Sequence, residues 1–134
     1  MDVGILGSSL NNLQVLVVED EALVAMNLEM ILDDLGCRVV GPVMRFDRAV
    51  AMVENGVNAD AAILDVNVAG REVFPIADLL GEQGIPLVFA TGYDNSTFPE
   101  RWRESPALRK PYTTDDVERA LKRLLAIAEA RNPM

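Results

Sequence analysis

The chain has 134 residues, half of them apolar, which suits one domain built around a single core. Its formal net charge of −9 argues against direct DNA binding, because nucleic-acid binding usually rests on a basic surface. The absence of histidine excludes Ser-His-Asp and Cys-His nucleophiles and a histidine-rich metal site. No apolar run approaches the roughly 18–20 residues that cross a bilayer, and the chain does not start with a secretory signal. We therefore expect a cytoplasmic protein that does not enter a membrane.

The first predicted elements are a buried strand and an amphipathic helix. Val15–Val18 is a short apolar run rich in valine, typical of a strand covered on both faces. Apolar residues then recur at helical spacing, which predicts a helix over 21–35 with Gly36 just after its end. Three consecutive acids separate the two elements: Glu19, Asp20 and Glu21.

The same alternation of strand and helix continues through the middle of the chain. The predicted elements are a strand over 37–40, a weaker helix closing at 55–56, a strand over 61–65, a helix over 72–80 and a strand over 87–91. Gly41-Pro42 is expected to end the second strand. Pro75 is tolerated near the first turn of the helix over 72–80, and Gly81 is expected to break that helix. The third strand therefore ends at Asp65 and the fourth at Thr91.

The last third of the chain contains a short polar stretch, a fifth strand and a clear helix. Prolines limit any helix within 93–106 to about two turns around 100–104. The fifth strand is followed by a lysine that directly precedes a proline, in the segment Leu108-Arg109-Lys110-Pro111. Either Thr113 or Thr114 caps the final helix.

Five strand–helix units predict an α/β fold: a five-stranded doubly wound parallel sheet, flavodoxin-like, with a short or irregular fourth helix. We expect one domain over 1–134, with its core over 13–128 and loose ends at 1–12 and 131–134.

Polar groups end three of the buried strands at what is predicted to be one edge of the sheet. Carboxylates from Glu19 and Asp65 would meet there, where they repel one another unless a cation holds them. Carboxylate oxygens are hard ligands, which favours magnesium or manganese. The compact ammonium of Lys110 suits a point contact to a phosphoryl oxygen. This edge is where open α/β sheets bind their ligands.

In this order and placement the residues resemble the receiver domains of two-component response regulators, over roughly 13–128. The resemblance implies that Asp65 accepts a phosphoryl group from a histidine kinase, forming an aspartyl phosphate, and that the domain catalyses its own phosphorylation and dephosphorylation. The other roles that it implies are magnesium binding by Glu19, Asp20, Asp65 and the backbone carbonyl of Asn67, and phosphoryl contact by Thr91 and Lys110.

Two departures from the family pattern concern the switch, which is the aromatic residue that reports phosphorylation to partners in most receivers. Most receivers carry an aromatic residue three positions before the lysine, where this chain has Ala107. Tyr93 and Tyr112 are candidates to replace it, although each is equally well understood as a packed loop aromatic. The stretch 89–93, Phe-Ala-Thr-Gly-Tyr, resembles a subgroup of stand-alone receivers named for the Phe-Ala-Thr-Gly (FATGUY) signature.

The implied partners are a sensor histidine kinase or a histidine phosphotransfer protein, and a downstream protein target. Because no output domain fits beside the receiver in 134 residues, we expect a phosphorelay intermediate, a phosphate sink or an effector that acts through protein contacts. Met26 and Met30 on the first helix, and Trp102, are candidate docking residues. Packing inside the protein is the alternative for both methionines, and a solvated short helix is the alternative around Trp102.

Other interpretations of the same residues remain open. A flavin-binding domain would need a hydroxyl- and glycine-rich phosphate loop after the first strand, where this chain has three acids that repel phosphate. A pseudo-receiver would use the fold only as an interaction module and would not be phosphorylated. A fragment of a hybrid kinase is a third possibility, but we expect a complete protein.

Overall fold

A computed structural model describes residues 10–92 and 95–131 of the chain. The strands are β1 (Gln14–Val18), β2 (Arg38–Val43), β3 (Ala61–Asp65), β4 (Asn67–Val68), β5 (Arg71–Glu72), β6 (Leu87–Thr91) and β7 (Ala107–Arg109). The α-helices are α1 (Ala22–Asp34), α2 (Phe46–Glu54), α3 (Phe74–Glu82) and α4 (Thr114–Arg131). Five strands form a parallel sheet in the order β2-β1-β3-β6-β7, and β4 pairs with β5 in a separate antiparallel hairpin. The predicted five-stranded, doubly wound α/β fold is confirmed.

Successive side chains of the strand β1 point to opposite faces of the sheet and build two cores. Leu16 and Val18 pack with the residues of α2 and α3 on one face. Val15 and Val17 pack with those of α1 and α4 on the other. All four side chains are fully buried. Because helices cover both faces, residues 15–18 of the strand form an unbroken apolar run.

Strand β2 is longer than predicted, so the expectation that Gly41-Pro42 ends it was wrong. The strand continues through Pro42 to Val43, with a shift of register against β1 between Leu16 and Val18. Only β1 adjoins β2 in the sheet, so a proline, which lacks a backbone N–H, is tolerated at this edge. Gly41 adopts a φ of 101°, a conformation that favours glycine.

Helix α3 begins and ends two residues later than predicted. Glu72 belongs to β5 instead, and the helix starts at Phe74 with a proline in its first turn. Gly81 lies inside the helix rather than breaking it, and the ring of Trp102 packs within 3.6 Å of the position where a Cβ would stand. Gly84, with a φ of 74°, follows the end of the helix.

The predicted short or irregular fourth helix is observed as two single 3₁₀ turns, Asn95–Thr97 and Glu100–Trp102, and not as the α-helical turns expected over 100–104. The segment is held to α3 by Asp78. The Arg101 guanidinium forms two hydrogen bonds with that carboxylate, and the Trp102 indole N–H donates to it over 2.8 Å. Trp102 is also packed edge-on against Phe89. Trp102 therefore packs against the protein, so the alternative of a solvated short helix was wrong, while its role as a docking residue stays a prediction.

The beginning of the described chain is packed, although 1–12 was predicted to be loose. Leu10 is buried in the core beside α1 and α4, and the Asn12 N–H donates to the Gly36 carbonyl. Residues 1–9 and 132–134 lie outside the described residues. Within 10–92 and 95–131, no helix is long and apolar enough to cross a membrane.

Thr113, and not Thr114, caps helix α4. The Asp116 N–H donates to the Thr113 hydroxyl over 3.2 Å, and the Thr113 N–H donates to the Asp116 carboxylate over 2.8 Å. This reciprocal pair satisfies backbone groups that the first helical turn leaves unpaired. The bonds from Thr113 keep the pKa of Asp116 below its ordinary value.

We predict that Thr113→Ala lowers the free energy of unfolding by about 1 kcal/mol, because the variant loses the capping oxygen. Thr114→Ala, the matched control one residue later, should change it by only a few tenths of a kcal/mol, as surface substitutions usually do. Urea denaturation monitored by circular dichroism measures both values. Equal losses in the two variants would contradict the assignment of the cap.

Candidate functional site

Three carboxylates meet beyond the C-terminal ends of β1 and β3. Glu19, Glu21 and Asp65 each contribute an oxygen that lies within 4.8 Å of the other two. Their proximity follows from the sheet, because Val18 is paired with Leu64 and the acids come directly afterwards. Glu19 is 2 % exposed and Asp65 is 7 % exposed, whereas Glu21 is open to solvent. Two of the three charges are therefore largely removed from water.

Lys110 provides the positive charge at this cluster. Its Nζ lies 3.2 Å from Glu19 Oε1, 3.3 Å from Asp65 Oδ1 and 4.0 Å from Glu21 Oε1. The Lys110 backbone N–H donates to the Thr91 carbonyl, which places the lysine beside the end of β6. Burial opposes the charged ammonium, but the Asp65 and Glu19 carboxylates raise the pKa of Lys110 above its ordinary value.

Glu19 is the carboxylate most perturbed by this environment. Burial, followed by its hydrogen bond to Asp65, raises the pKa of Glu19 to about 7. The backbone N–H of Glu21 donates to Glu19 Oε2 over 3.1 Å and opposes that shift. In the absence of a metal, a proton and the Lys110 ammonium together compensate the crowded negative charge.

The carboxylate of Asp20 is not a member of this cluster within the described residues. Its Oδ2 instead accepts a hydrogen bond of 2.9 Å from the backbone N–H of Ala69. Alternate residues of an extended segment share a side, and Glu21 has extended backbone angles, so Glu19 and Glu21 face the same way. That spacing was the signal available for Glu21, which the ligand set predicted from the sequence did not include. Asp20 as a metal ligand stays a prediction.

The hairpin β4–β5, which was not predicted from the sequence, begins two residues after Asp65, the acidic end of β3, and donates backbone hydrogen bonds to Asp65 and Asp20. The Asn67 backbone N–H donates to Asp65 Oδ1 over 3.3 Å, and the Asn67 side-chain oxygen accepts the N–H of Gly70. The hairpin turn is formed by Ala69 and Gly70, with φ values of 52° and 85°. A two-residue turn of this kind usually has asparagine or aspartate in place of Ala69, so its signal in the sequence was weak.

The remaining predicted site residues lie in different surroundings. Thr91 ends β6 beside the Asp65 strand and is buried. Of the switch candidates, Ala107 is exposed at the start of β7, and Tyr93 lies outside the described residues. Tyr112 is buried, and its hydroxyl has no hydrogen-bond partner among the described residues.

The donor set fits a hard divalent cation. Every side-chain ligand atom that the cluster offers is a carboxylate oxygen, and magnesium and manganese prefer such oxygens. Burial raises the pKa of Glu19 first, and the neighbouring Asp65 raises it further, so the charged form of Glu19 is disfavoured where no cation is bound. A bound cation would relieve the repulsion between the two carboxylates.

Known proteins with the same fold resemble the chain closely, although no family model matches it. The solution structure of SdrG from Sphingomonas melonis Fr1 is 46 % identical, with a TM-score of 0.74, and the match covers 84 % of this chain and 96 % of SdrG. The BeF3-activated conformation of SdrG, from Pseudomonas melonis Fr1, is also 46 % identical, covers 86 % and 98 % of the two chains and has a TM-score of 0.72.

Two further proteins extend the comparison. A response regulator receiver protein from Sinorhizobium medicae WSM419 is 24 % identical and shares the fold, with a TM-score of 0.74 over 87 % of this chain and 97 % of its own. The phyllosphere-induced regulator PhyR of Methylorubrum extorquens is 28 % identical over 120 residues, which make up 84 % of this chain and 43 % of PhyR. The chain spans about half the length of the curated relatives that it matches.

We predict that the stability of the metal-free protein falls as the pH rises from 5 to 8, relative to that of Glu19→Gln. Folded Glu19 keeps its proton up to about pH 7, whereas the unfolded chain releases it near its ordinary value of 4.5. The folded state thus binds more protons within this window, and raising the pH disfavours it by roughly 1–3 kcal/mol. Urea denaturation in the presence of a chelator measures the difference.

A matched control for this pH profile is Glu54→Gln, which neutralises an exposed glutamate of α2. Its stability should follow the wild-type curve. Parallel pH profiles for wild type and Glu19→Gln would show that Glu19 does not hold the proton.

Proposed function

The chain belongs to the receiver-domain family of response regulators, and on that premise we propose that it accepts a phosphoryl group on Asp65. One observation carries the proposal most directly. A buried aspartate at the end of a central strand lies 3.3 Å from the ammonium of Lys110, beside two further carboxylates. Nucleophile, cation site and phosphoryl-binding ammonium are thereby within reach of one another.

The proposed reaction is an in-line transfer. A carboxylate oxygen of Asp65 forms the new bond to phosphorus, and the bond from phosphorus to the donor's nitrogen or oxygen breaks, with its electron pair leaving on the donor. Lys110 turns from the carboxylates to a phosphoryl oxygen, and the Thr91 hydroxyl donates to another. These groups stabilise the charge that spreads over the phosphoryl oxygens. Hydrolysis later transfers the group to water.

We propose that Glu19, Asp20, Asp65 and the Asn67 carbonyl hold magnesium or manganese, and we add Glu21 to this set. When bound, the divalent cation neutralises charge on the carboxylates and on the phosphoryl oxygens. The proton on Glu19 has to leave for the carboxylate to act as a ligand, so we expect metal binding to strengthen as the pH rises through about 7.

The proposed phosphodonor is a sensor histidine kinase or a histidine phosphotransfer protein, and this exchange would take place in the cytoplasm. Leu23, Met26 and Met30 form an exposed apolar stripe along α1, being 81 %, 56 % and 65 % exposed. Their spacing places them on one side of the helix, and methionine adapts well to partner helices. We propose that a helical protein partner docks on this stripe, and that output passes to a downstream protein by relay, as a sink or through an effector contact.

The acceptor is tested by intact-protein mass spectrometry after incubation with magnesium and acetyl phosphate. We expect the wild type to gain the mass of one phosphoryl group, only when magnesium is present, and Asp65→Asn to gain nothing, because the amide is not a nucleophile. Asp47→Asn, which changes an exposed aspartate of α2 by the same chemistry, should be phosphorylated like the wild type.

An equal mass gain in Asp65→Asn would contradict the proposal that Asp65 is the acceptor. A wild type that is modified neither by acetyl phosphate nor by a phosphorylated histidine kinase, and that does not bind magnesium, would be a pseudo-receiver.

We predict that Lys110→Ala slows phosphorylation by about 100-fold, the usual effect of removing one group that stabilises developing charge. Lys122→Ala provides the matched control, because it removes the same charge from an exposed lysine that pairs with Glu118 on α4. The rate of mass gain with acetyl phosphate measures both. Equal rates in the two variants would contradict the role of Lys110.

A further inference from the structure

Ala69, in the turn of the hairpin β4–β5, has a backbone conformation that alanine rarely adopts. Its φ of 52° lies in the left-handed region, where the Cβ crowds the backbone. Asn12, with a φ of 64°, is the other described non-glycine residue in this region, and asparagine tolerates it better. Strained backbone of this kind persists only where its surroundings hold it, and it is concentrated at functional sites. The strain at Ala69 therefore points to a function of the hairpin.

The surroundings hold the hairpin by contacts on both of its strands. Val68 is fully buried in the core that faces α2 and α3. The Asn67 side-chain oxygen accepts the N–H of Gly70 across the turn. The guanidinium of Arg71 lies 3.7 Å from the ring centroid of Phe46, at the start of α2. These contacts fix the hairpin against the rest of the domain, so the strained turn is maintained.

The strained turn provides a hydrogen-bond donor for an acidic side chain far away in the sequence. The Ala69 N–H donates to Asp20 Oδ2 over 2.9 Å, across 49 residues of the chain. The Asn67 N–H of the same hairpin donates to Asp65 Oδ1 over 3.3 Å. Two carboxylates that follow or end different strands, β1 and β3, are thus held by the backbone of one short hairpin.

The bond from Ala69 leaves Asp20 able to bind a cation. A carboxylate has two oxygens, so one oxygen can accept the N–H while the other acts as a ligand. Asp20 is partly exposed, and without the bond its side chain would have to be ordered when a metal binds, which costs free energy. Hydrogen bonds to a ligating carboxylate remove this cost and strengthen metal binding.

We propose that Ala69 is a positioning residue whose backbone N–H orients the Asp20 carboxylate for the divalent cation, with the hairpin β4–β5 as the rigid element that carries it. The inference rests on the proposed function, because that proposal includes Asp20 among the metal ligands. It goes further by assigning part of the metal affinity to a residue whose side chain offers no ligand atom.

The test is Ala69→Pro, measured by calorimetric titration of magnesium at pH 8. Proline lacks the N–H and cannot adopt a φ of 52°, so Asp20 loses its donor. We expect the magnesium affinity to fall about tenfold, as when a hydrogen bond to a metal ligand is removed. Ala69→Gly keeps the N–H and adopts the turn without strain, so it should bind magnesium like the wild type. Unchanged affinity in Ala69→Pro, or an equal loss in Ala69→Gly, would overturn the proposal.

A double-mutant cycle with Asp20→Ala separates an effect through Asp20 from a general loosening of the site. We expect Asp20→Ala to bind magnesium more weakly than the wild type but measurably, because the carboxylates of Glu19, Glu21 and Asp65 remain. In that background Ala69→Pro should not weaken binding further, since its N–H has no carboxylate left to orient. A second tenfold loss in the Asp20→Ala background would overturn the proposal.

Gly56→Ala is the control for stability. Gly56 has a φ of 88° and nothing within 4 Å of the position where a Cβ would stand, so the substitution strains only the turn that follows α2. The thermal midpoint in chelator should fall and the magnesium affinity should stay. A tenfold loss of affinity in Gly56→Ala would assign the effect to lowered stability and overturn the proposal.

If Ala69→Pro does not fold, Gly70→Ala takes its place. Gly70 has a φ of 85° and the same open space as Gly56, so the two alanine variants carry similar strain in different turns. Both should have a lower thermal midpoint, but only Gly70→Ala should bind magnesium more weakly. Equal magnesium affinities in the two variants would overturn the proposal.

The role of Ala69 and the proposed function fail separately. Magnesium binding that is weakened in Asp20→Ala but not in Ala69→Pro would overturn the role of Ala69 and leave the proposed function standing. Binding that Asp20→Ala leaves unchanged would remove Asp20 from the ligand set, and this inference with it, without affecting Asp65 as the acceptor. A wild type that binds no magnesium would overturn the proposed function and this inference together.

Discussion

The electrostatic repulsion among the strand-end carboxylates is the constraint on which the site depends. Two unit charges 4.8 Å apart repel by roughly 3–4 kcal/mol at an effective dielectric constant of about 20. Burial of Glu19 and Asp65 increases that cost. The Lys110 ammonium lies within 3.3 Å of an oxygen of each carboxylate, and the raised pKa of Glu19 favours its neutral form. The same negative charge favours the binding of a divalent cation. It also attracts the Lys110 ammonium to the place where a phosphoryl group would arrive.

The topology creates this constraint. Parallel strands β1 and β3 are direct neighbours, so the residues that follow them emerge side by side, and the crossing helices cover both faces of the sheet. Ligands of such sheets bind outside the carboxyl ends of the strands. Lys110 directly follows β7, and its backbone N–H donates to the Thr91 carbonyl at the end of β6. The hairpin β4–β5 contacts the same edge, because its backbone N–H groups at Asn67 and Ala69 donate to Asp65 and Asp20.

The sheet and the strand-end acids could be predicted from the sequence, because a short apolar run that stops at a charged residue is typical of a buried strand ending at the edge of a parallel sheet. Features that depend on tertiary context could not. The continuation of β2 through Pro42 depends on its edge position, and the packing of Trp102 depends on Asp78 from another element. Glu21 faces the carboxylate cluster and Asp20 does not, which depends on the backbone angles of the residues that follow β1. The FATGUY subgroup stays a prediction, because the fold is shared by receivers in general and the relatives' names do not identify the subgroup.

We infer that Lys110 takes the place of a divalent cation when no metal is bound. Calorimetric titration of magnesium into wild type and Lys110→Met at pH 8 tests this inference. Removing the ammonium leaves the carboxylates without their internal counter-charge, so we predict that magnesium binds several-fold more tightly to the variant. Magnesium binding that is equal or weaker in Lys110→Met would contradict this inference, because the Lys110 ammonium would then not be the charge with which the metal competes.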